Sequence, residues 1–262
     1  MNRVIVSSAF DDIRAQDLRF LQEAAQLGEV HVHIWSDKAV CDCTGKAPKF
    51  PYAERLYFVQ ALRDVKQVHA SLADLGFKPD IHACAATGEN PEMNAFCERN
   101  GVSVCRITPA QTTGFPLRPG QAPTGRKKVV VTGCYDWFHT GHIAFFEEAS
   151  ALGDLHVCLG NDENIRSLKG EGHPLFAAAE RLFIAGSIRY VTQALISRGM
   201  GWMDSEHEIL HVIKPDIYVV NEDGDKPEKA EFCRQHGIQY TVLKRAPKEG
   251  LAKRSSTDLR GF

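Results

Sequence analysis

The chain repeats itself, and no other feature limits its fold so tightly. At an offset of 125 residues, positions 4–37 match positions 129–162: VIVSSAFD aligns with VVVTGCYD, and FLQEAAQLGEVHVHIWSD with FFEEASALGDLHVCLGND. Eleven of those 34 pairs are identical. Past small insertions, AERLYFVQALRDV (53–65) meets AERLFIAGSIRYV (179–191), and KPDIHACAATGENPEMNAFCERNGV (78–102) meets KPDIYVVNEDGDKPEKAEFCRQHGI (214–238). Solenoid repeats recur every 20–50 residues or so, and a period this long denotes duplicated domains instead. Between the copies lies TPAQTTGFPLRPGQAPTGRKK, rich in Pro and Gly and without apolar periodicity. The expected organisation is a first domain over 1–107, a linker over 108–126 and a second domain over 127–262.

Each copy shows the same order of elements. A β-branched run, Val129–Val131 in the second copy, reads as a buried strand. Phe145, Phe146, Ala149 and Leu152 then form one helical stripe, matched by Phe20, Leu21, Ala24 and Leu27. Gly28 and Gly153 are read as the stops of these helices. LHVCLG is a strand, followed by a helix from Ala178, a strand near Tyr190, a helix over 205–213, the strand DIYVV, a helix over 227–236 and the strand QYTVL. Alternating strands and helices predict an α/β fold: two tandem Rossmann-like domains, each a parallel sheet with helices on both faces. Ligands of such sheets bind outside the carboxyl ends of the strands, which places chemistry just after Val131.

There the second copy reads GCYDWFHTGHIAFFEEASALGD. His139 and His142, three apart, share a face in a first helical turn whose free N–H groups and dipole attract anions. Imidazoles there can donate to phosphate oxygens and stabilise charge that grows on them. Gly133 and Gly141 are expected to leave room for a ligand, and Thr140 to cap the turn or bond a phosphate.

Gly133-Cys134-Tyr135-Asp136, His139-Thr140-Gly141-His142, ALGD and the late RSSTDLR (254–260) resemble the H-x-G-H cytidylyltransferase-like nucleotidyltransferase superfamily. That superfamily includes choline-, ethanolamine- and glycerol-3-phosphate cytidylyltransferases and heptose-phosphate adenylyltransferases. The resemblance covers 127–262 and, weakened, 1–107. It implies an enzyme that joins the NMP part of an NTP to a phosphorylated alcohol, amino alcohol or sugar and releases pyrophosphate. CTP is the preferred nucleotide and ATP the alternative, because KPDIYVVNEDGDKPE also looks like the adenylyltransferases. By the resemblance, His139, His142 and Lys169 are catalytic. Gly133, Tyr135, Asp136, Thr140, Gly141, Asp162, Arg254, Ser255, Ser256 and Thr257 are nucleotide-binding. Mg²⁺ would arrive with the nucleotide, and no protein metal site is expected. Family members often carry Arg-Thr-x-Gly directly before the Ser/Thr motif; here Arg245 stands nine residues before Arg254, so either arginine is a candidate for phosphate.

In the first copy Arg14 and Asp17 stand where His139 and His142 stand, Ser8 replaces Gly133, and Thr44 faces Lys169. A carboxylate at the second histidine position repels a triphosphate. The first domain therefore reads as a degenerate copy. Ethanolamine-phosphate cytidylyltransferases are tandem in a similar way, and the two copies could pair as a pseudo-dimer within one chain.

Other classes find less support. A net charge of −2 gives no polyanion footprint, so nucleic acid is not expected as a partner, which also weighs against aminoacyl-tRNA synthetase-like adenylation. No apolar run reaches the roughly 20 residues of a membrane span. Eight cysteines without a C-x-x-C pair fit a reduced, cytoplasmic chain better than a zinc site. HEILH (207–211) matches a zinc-protease pattern but has no evident third ligand. A non-catalytic nucleotide-binding scaffold is the competing reading from another class.

Overall fold

A computed structural model describes residues 1–86, 90–256 and 259. The chain divides into two compact units, Met1–Phe115 and Pro116–Phe262. The first runs β1 (Arg3–Ser8), α1 (Ala15–Leu27), β2 (Glu29–Ile34), α2 (Asp37–Thr44), α3 (Tyr52–Gln60), β3 (Val65–His69), β4 (Ile81–Ala85), α4 (Pro91–Asn100) and β5 (Ser103–Ile107). The second runs β6 (Lys128–Gly133), α5 (Thr140–Ala151), β7 (Asp154–Leu159), α6 (Asp162–Lys169), α7 (Ala178–Gly186), β8 (Val191–Ile196), β9 (Ile217–Asn221), α8 (Pro227–Gln235) and β10 (Gln239–Leu243). A π-type helical segment, Glu208–Ile213, precedes β9.

Both units are five-stranded sheets, ordered β3-β2-β1-β4-β5 and β8-β7-β6-β9-β10, with every neighbouring pair parallel. Parallel strands need both faces covered, and the middle of each central strand is apolar: Val4–Val6 and Val129–Val131 are buried. Strand order reverses beside β1 and beside β6, so each unit has a crevice at the carboxyl end of that strand. Among the described residues no helix is long and apolar enough to cross a membrane.

The structure adds α6, which the sequence reading did not include: it is capped by Asn161, whose side chain accepts the Asn164 N–H at 2.8 Å, and Lys169 is its last residue. Gly28 and Gly153 follow the ends of α1 and α5 as expected, though not as left-handed caps. A Cβ on either would lie 2.2 Å from the Asn2 carbonyl oxygen or 2.0 Å from that of Lys127, so both are glycine because the chain turns hard against the residue before the central strand. Leu152 falls off the apolar stripe and is exposed. The proline-rich stretch is bonded at both ends. Arg19 and Gln16 of α1 donate to the Gln111 and Thr112 carbonyls, while the Gln121 side chain donates to those of Arg189 and Val191 and Thr124 to Asp154.

Candidate active site

The second unit's crevice is a cavity of about 430 Å³. β6 delivers the chain to it through Tyr135, which takes a left-handed φ of 49° that a bulky residue adopts only under strain. This turn buries the ring edge-on against His142 and Phe146, with centroids 5.2 and 5.0 Å away. Gly133 is small for that ring, because a Cβ there would come within 3.0 Å of it. Gly133 itself still lines the cavity.

α5 begins with His139, not Thr140, as its cap: Nδ1 of His139 accepts the Gly141 N–H at 3.1 Å. An accepting Nδ1 places the imidazole proton on Nε2, which is left as a donor. Gly141 is small because a Cβ would meet the His139 ring at 2.9 Å. His139 and His142 stack with centroids 3.9 Å apart. Burial, then the neighbouring His139, Arg245 and Lys169, hold the His142 pKa well below the usual histidine range, so His142 is a neutral imidazole at pH 7. Its Nδ1 and the Tyr135 hydroxyl are buried without hydrogen-bond partners among the described residues.

The remaining site residues divide by position. Lys169 and Ser256 join the two histidines in lining the cavity, and the Ser256 hydroxyl donates to the Trp137 carbonyl at 3.1 Å. Thr140 and Arg254 line a small adjoining recess. Ser255 lines neither, and Thr257 lies outside the described residues. Asp136, which also lines the cavity, and Asp162 hold the neighbouring loops. Asp136 accepts the Leu175 and Phe176 N–H groups at 2.8 and 3.0 Å. Asp162 accepts the Ala178 N–H at 3.0 Å and pairs with Arg181 at 2.7 Å. The fully buried Arg181 guanidinium also donates to the Phe176, Cys134 and Gly160 carbonyls.

Sequence reasoning missed Asn221, which ends β9, the strand beside β6, Asp223 just after it, and Lys229 of α8; all three line the cavity, with Arg245 and, from the 197–206 loop, Asp204. The rule that ligands sit at carboxyl ends of adjacent strands would have found the first two. Arg245 pairs with Asp223 at 2.5 Å and donates to the Arg254 carbonyl at 3.3 Å. Of the two candidate arginines it is the one in the main cavity. Desolvation lowers the pKa of Lys229, with Asp204 opposing the shift. Among the described residues, no three His, Cys, Asp or Glu side chains converge on one point, HEILH included.

The cavity thus opens at a helix N-terminus beside two stacked imidazoles, and Lys169, Lys229 and Arg245 share its wall with Asp136, Asp204 and Asp223. The chain is 32% identical over 175 residues to the bifunctional protein HldE of Azotobacter vinelandii, a match covering 66% of this chain and 35% of that protein. It thus spans about a third of that relative's length. It is 32% identical to the FAD synthase of Aciduliprofundum boonei over 137 residues, 51% of this chain and 84% of that one. HldE of a Marinomonas species is 36% identical over 127 residues, 45% of this chain and 25% of that one. Residues 130–261, half the chain and all of the crevice just described, match the model of the cytidylyltransferase-like family, and to that family of nucleotidyltransferases the chain belongs.

Proposed function

We propose that the second unit transfers a nucleotidyl group from an NTP to the phosphate of a small acceptor. An acceptor oxygen attacks the α-phosphorus in line, the bond from that phosphorus to its bridging oxygen breaks, and pyrophosphate leaves. No covalent enzyme intermediate forms, so catalysis is positioning and charge stabilisation.

The observation that carries this reading is the stacked His139–His142 pair at the start of α5. A neutral imidazole whose Nδ1 is already an acceptor offers one Nε2–H donor, directed rather than diffuse. Such donors stabilise charge on the bridging and non-bridging oxygens as the bond breaks, an effect of about 10²–10³ in rate for one donor. Lys169 and Arg245 supply full charges beside them, and the tail around Arg254–Ser256 reaches the same helix start. Mg²⁺, when bound, would offset charge on the triphosphate. The donor set fits an ion carried by the nucleotide rather than caged by protein, since Asp136 is bonded to backbone N–H groups and Asp223 to Arg245.

The acceptor is proposed to be a phosphorylated alcohol, amino alcohol or sugar, and CTP the nucleotide. A second reading, with ATP, is favoured by one finding: FAD is a flavin phosphate joined to AMP, and the FAD synthase relative is matched over most of its length. The deciding experiment is thermal unfolding with ATP, CTP, GTP or UTP plus Mg²⁺, in wild type and His142→Ala. A ligand at 100 times its Kd adds about 2.7 kcal/mol, a shift of several degrees. One nucleotide is expected to stabilise the wild type alone. Pyrophosphate release with a panel of phosphorylated acceptors then identifies the second substrate. A shift without pyrophosphate release would favour the non-catalytic nucleotide-binding scaffold, and no shift with any nucleotide would overturn this reading.

A further inference from the structure

Two asparagines on α6 tie that helix to the loop that follows β8. Asn161 caps α6, and its amide also donates to the Ser197 and Gly199 carbonyls at 3.3 and 2.8 Å. Asn164, only 2% exposed, holds the Gly201 backbone by both of its groups. Its Oδ1 accepts the Gly201 N–H at 2.7 Å, and its Nδ2 donates to the Gly201 carbonyl at 3.1 Å. The loop is closed on itself as well, because the Ser197 hydroxyl donates to Asp204 at 2.6 Å. Burial raises the Asp204 pKa, and hydrogen bonds from Ser197 and Asn164 oppose that rise.

The first unit shows that the helix does not need these ties. At the offset of 125 residues, Ser36 and Ala39 stand where Asn161 and Asn164 stand. Ser36 still caps α2, accepting the Ala39 N–H at 3.1 Å. A hydroxyl is enough for a cap. What the second copy adds is a pair of side-chain amides, each directed at the loop, in the copy that also has the histidines. Buried bonds of this kind fix one arrangement, since breaking them leaves backbone groups unpaired.

The ties hold one wall of the cavity. Leu168 and Lys169 end α6, Trp202 and Asp204 come from the tied loop, and all four line the cavity. Trp202 is 70% exposed, with the Lys226 ammonium 5.4 Å from its ring centroid, so little packing fixes it. The bonds at its neighbour Gly201 do. In the order β8-β7-β6-β9-β10 this wall lies on the β7–β8 side of β6. Arg245 and Arg254 line a recess with Asn221 and Lys244, on the β9–β10 side. Attacking and leaving oxygens lie in line across the α-phosphorus. With the leaving pyrophosphate held by the two arginines, the acceptor enters along the α6 wall.

We propose that Asn164, aided by Asn161, is a positioning residue for the acceptor. It fixes the Trp202–Asp204 loop against α6, so that Lys169 and the loop present one face to the incoming phosphate ester. The inference rests on the nucleotidyl-transfer reading of this cavity.

Asn161→Ser and Asn164→Ala give the second unit the residues of the first and keep the helix cap. Hydrogen exchange over 197–206 in the full chain is expected to quicken about tenfold or more in Asn164→Ala. Pyrophosphate release is then measured with ATP and CTP, against glycerol 3-phosphate, phosphoethanolamine and glucose 1-phosphate. The acceptor KM should rise about tenfold in Asn164→Ala and less in Asn161→Ser, with the nucleotide KM unchanged. A role in stability alone would raise both KM values alike as the unfolding midpoint fell. Should Asn164→Ala fail to fold, Asn161→Ser carries the same test. Unchanged exchange in the loop, or a nucleotide KM that rises with the acceptor KM, overturns the proposal and leaves the transfer reading intact. A wild type that turns over none of these probes counts against the transfer reading, and this proposal falls with it.

Discussion

Set side by side, the two units share their scaffolding bond for bond and differ where ligands would sit. Asp11 accepts the Lys49 and Phe50 N–H groups as Asp136 accepts those of Leu175 and Phe176. Arg55 repeats Arg181: it donates to the Phe50, Ala9 and Trp35 carbonyls and pairs with Asp37 at 2.6 Å. These residues look like site residues in sequence, being charged, buried and beside the crevice. The internal copy reveals what they do, because they persist where the histidines are gone. His139, His142 and Lys169 have no such counterpart, and it is this difference that makes them the residues proposed to meet substrate.

The comparison can be broken at several points. The largest effect is expected from Arg181→Leu and Arg55→Leu, which each remove a fully buried guanidinium and leave three carbonyls and a partly exposed carboxylate unpaired. Each should cost about 3–5 kcal/mol in urea unfolding, equally in either copy. A cost in one copy alone would mean the two networks are not equivalent. Next comes His142→Ala, with a loss of about 10²–10³ in pyrophosphate release and an unchanged unfolding midpoint. Asp17→Ala should leave that rate unchanged, and a matching loss there would put catalysis in the wrong unit.

The glycine pair follows. Gly28→Ala and Gly153→Ala push a methyl into a backbone carbonyl and should each cost about 2–3 kcal/mol. Acid stability is smaller and sharpens the contrast. His33, His69 and His82 in the first unit, and His142 and His156 in the second, have pKa values lowered first by burial. Below their unfolded value near 6.5 the unfolded chain binds more protons, so this stability is full above that pH and is lost as pH falls. For His82 alone, lowered to about 4, the loss between pH 7 and 5 is roughly 2 kcal/mol, and unfolding of His82→Phe across that range should show a flatter acid limb. Smallest is Tyr135→Phe. It removes a buried hydroxyl without a partner and copies what the first unit already has at Phe10, so stability should rise by up to about 1 kcal/mol. A fall would show that the hydroxyl is bonded in solution.

Much of this was legible in the sequence. Period-two and helical patterns, doubled by the repeat, located most strands and helices, and the strand-end rule led to the histidines before any coordinates. What escaped detection was short or indirect. α6 spans eight residues, too few for a clear apolar stripe, although its Asn161 cap, its acidic first turn and its basic last turn were all present. Gly133 and Gly141 make way for neighbouring rings, a reason that depends on where Tyr135 and His139 point and not on the glycines themselves. Asn221, Asp223 and Lys229 come to the cavity from a strand and a helix far along the chain, and nothing local sets them apart.

The strained aromatic after the first strand has a history that can be read from its two occurrences. Phe10 holds φ at 47° and Tyr135 at 49°, each with its ring buried. Two copies that have lost or exchanged their ligand-facing residues independently would not both arrive at so unfavourable a backbone. The single ancestor of the two halves therefore already bent its chain this way, and the bend is older than whatever each half now binds.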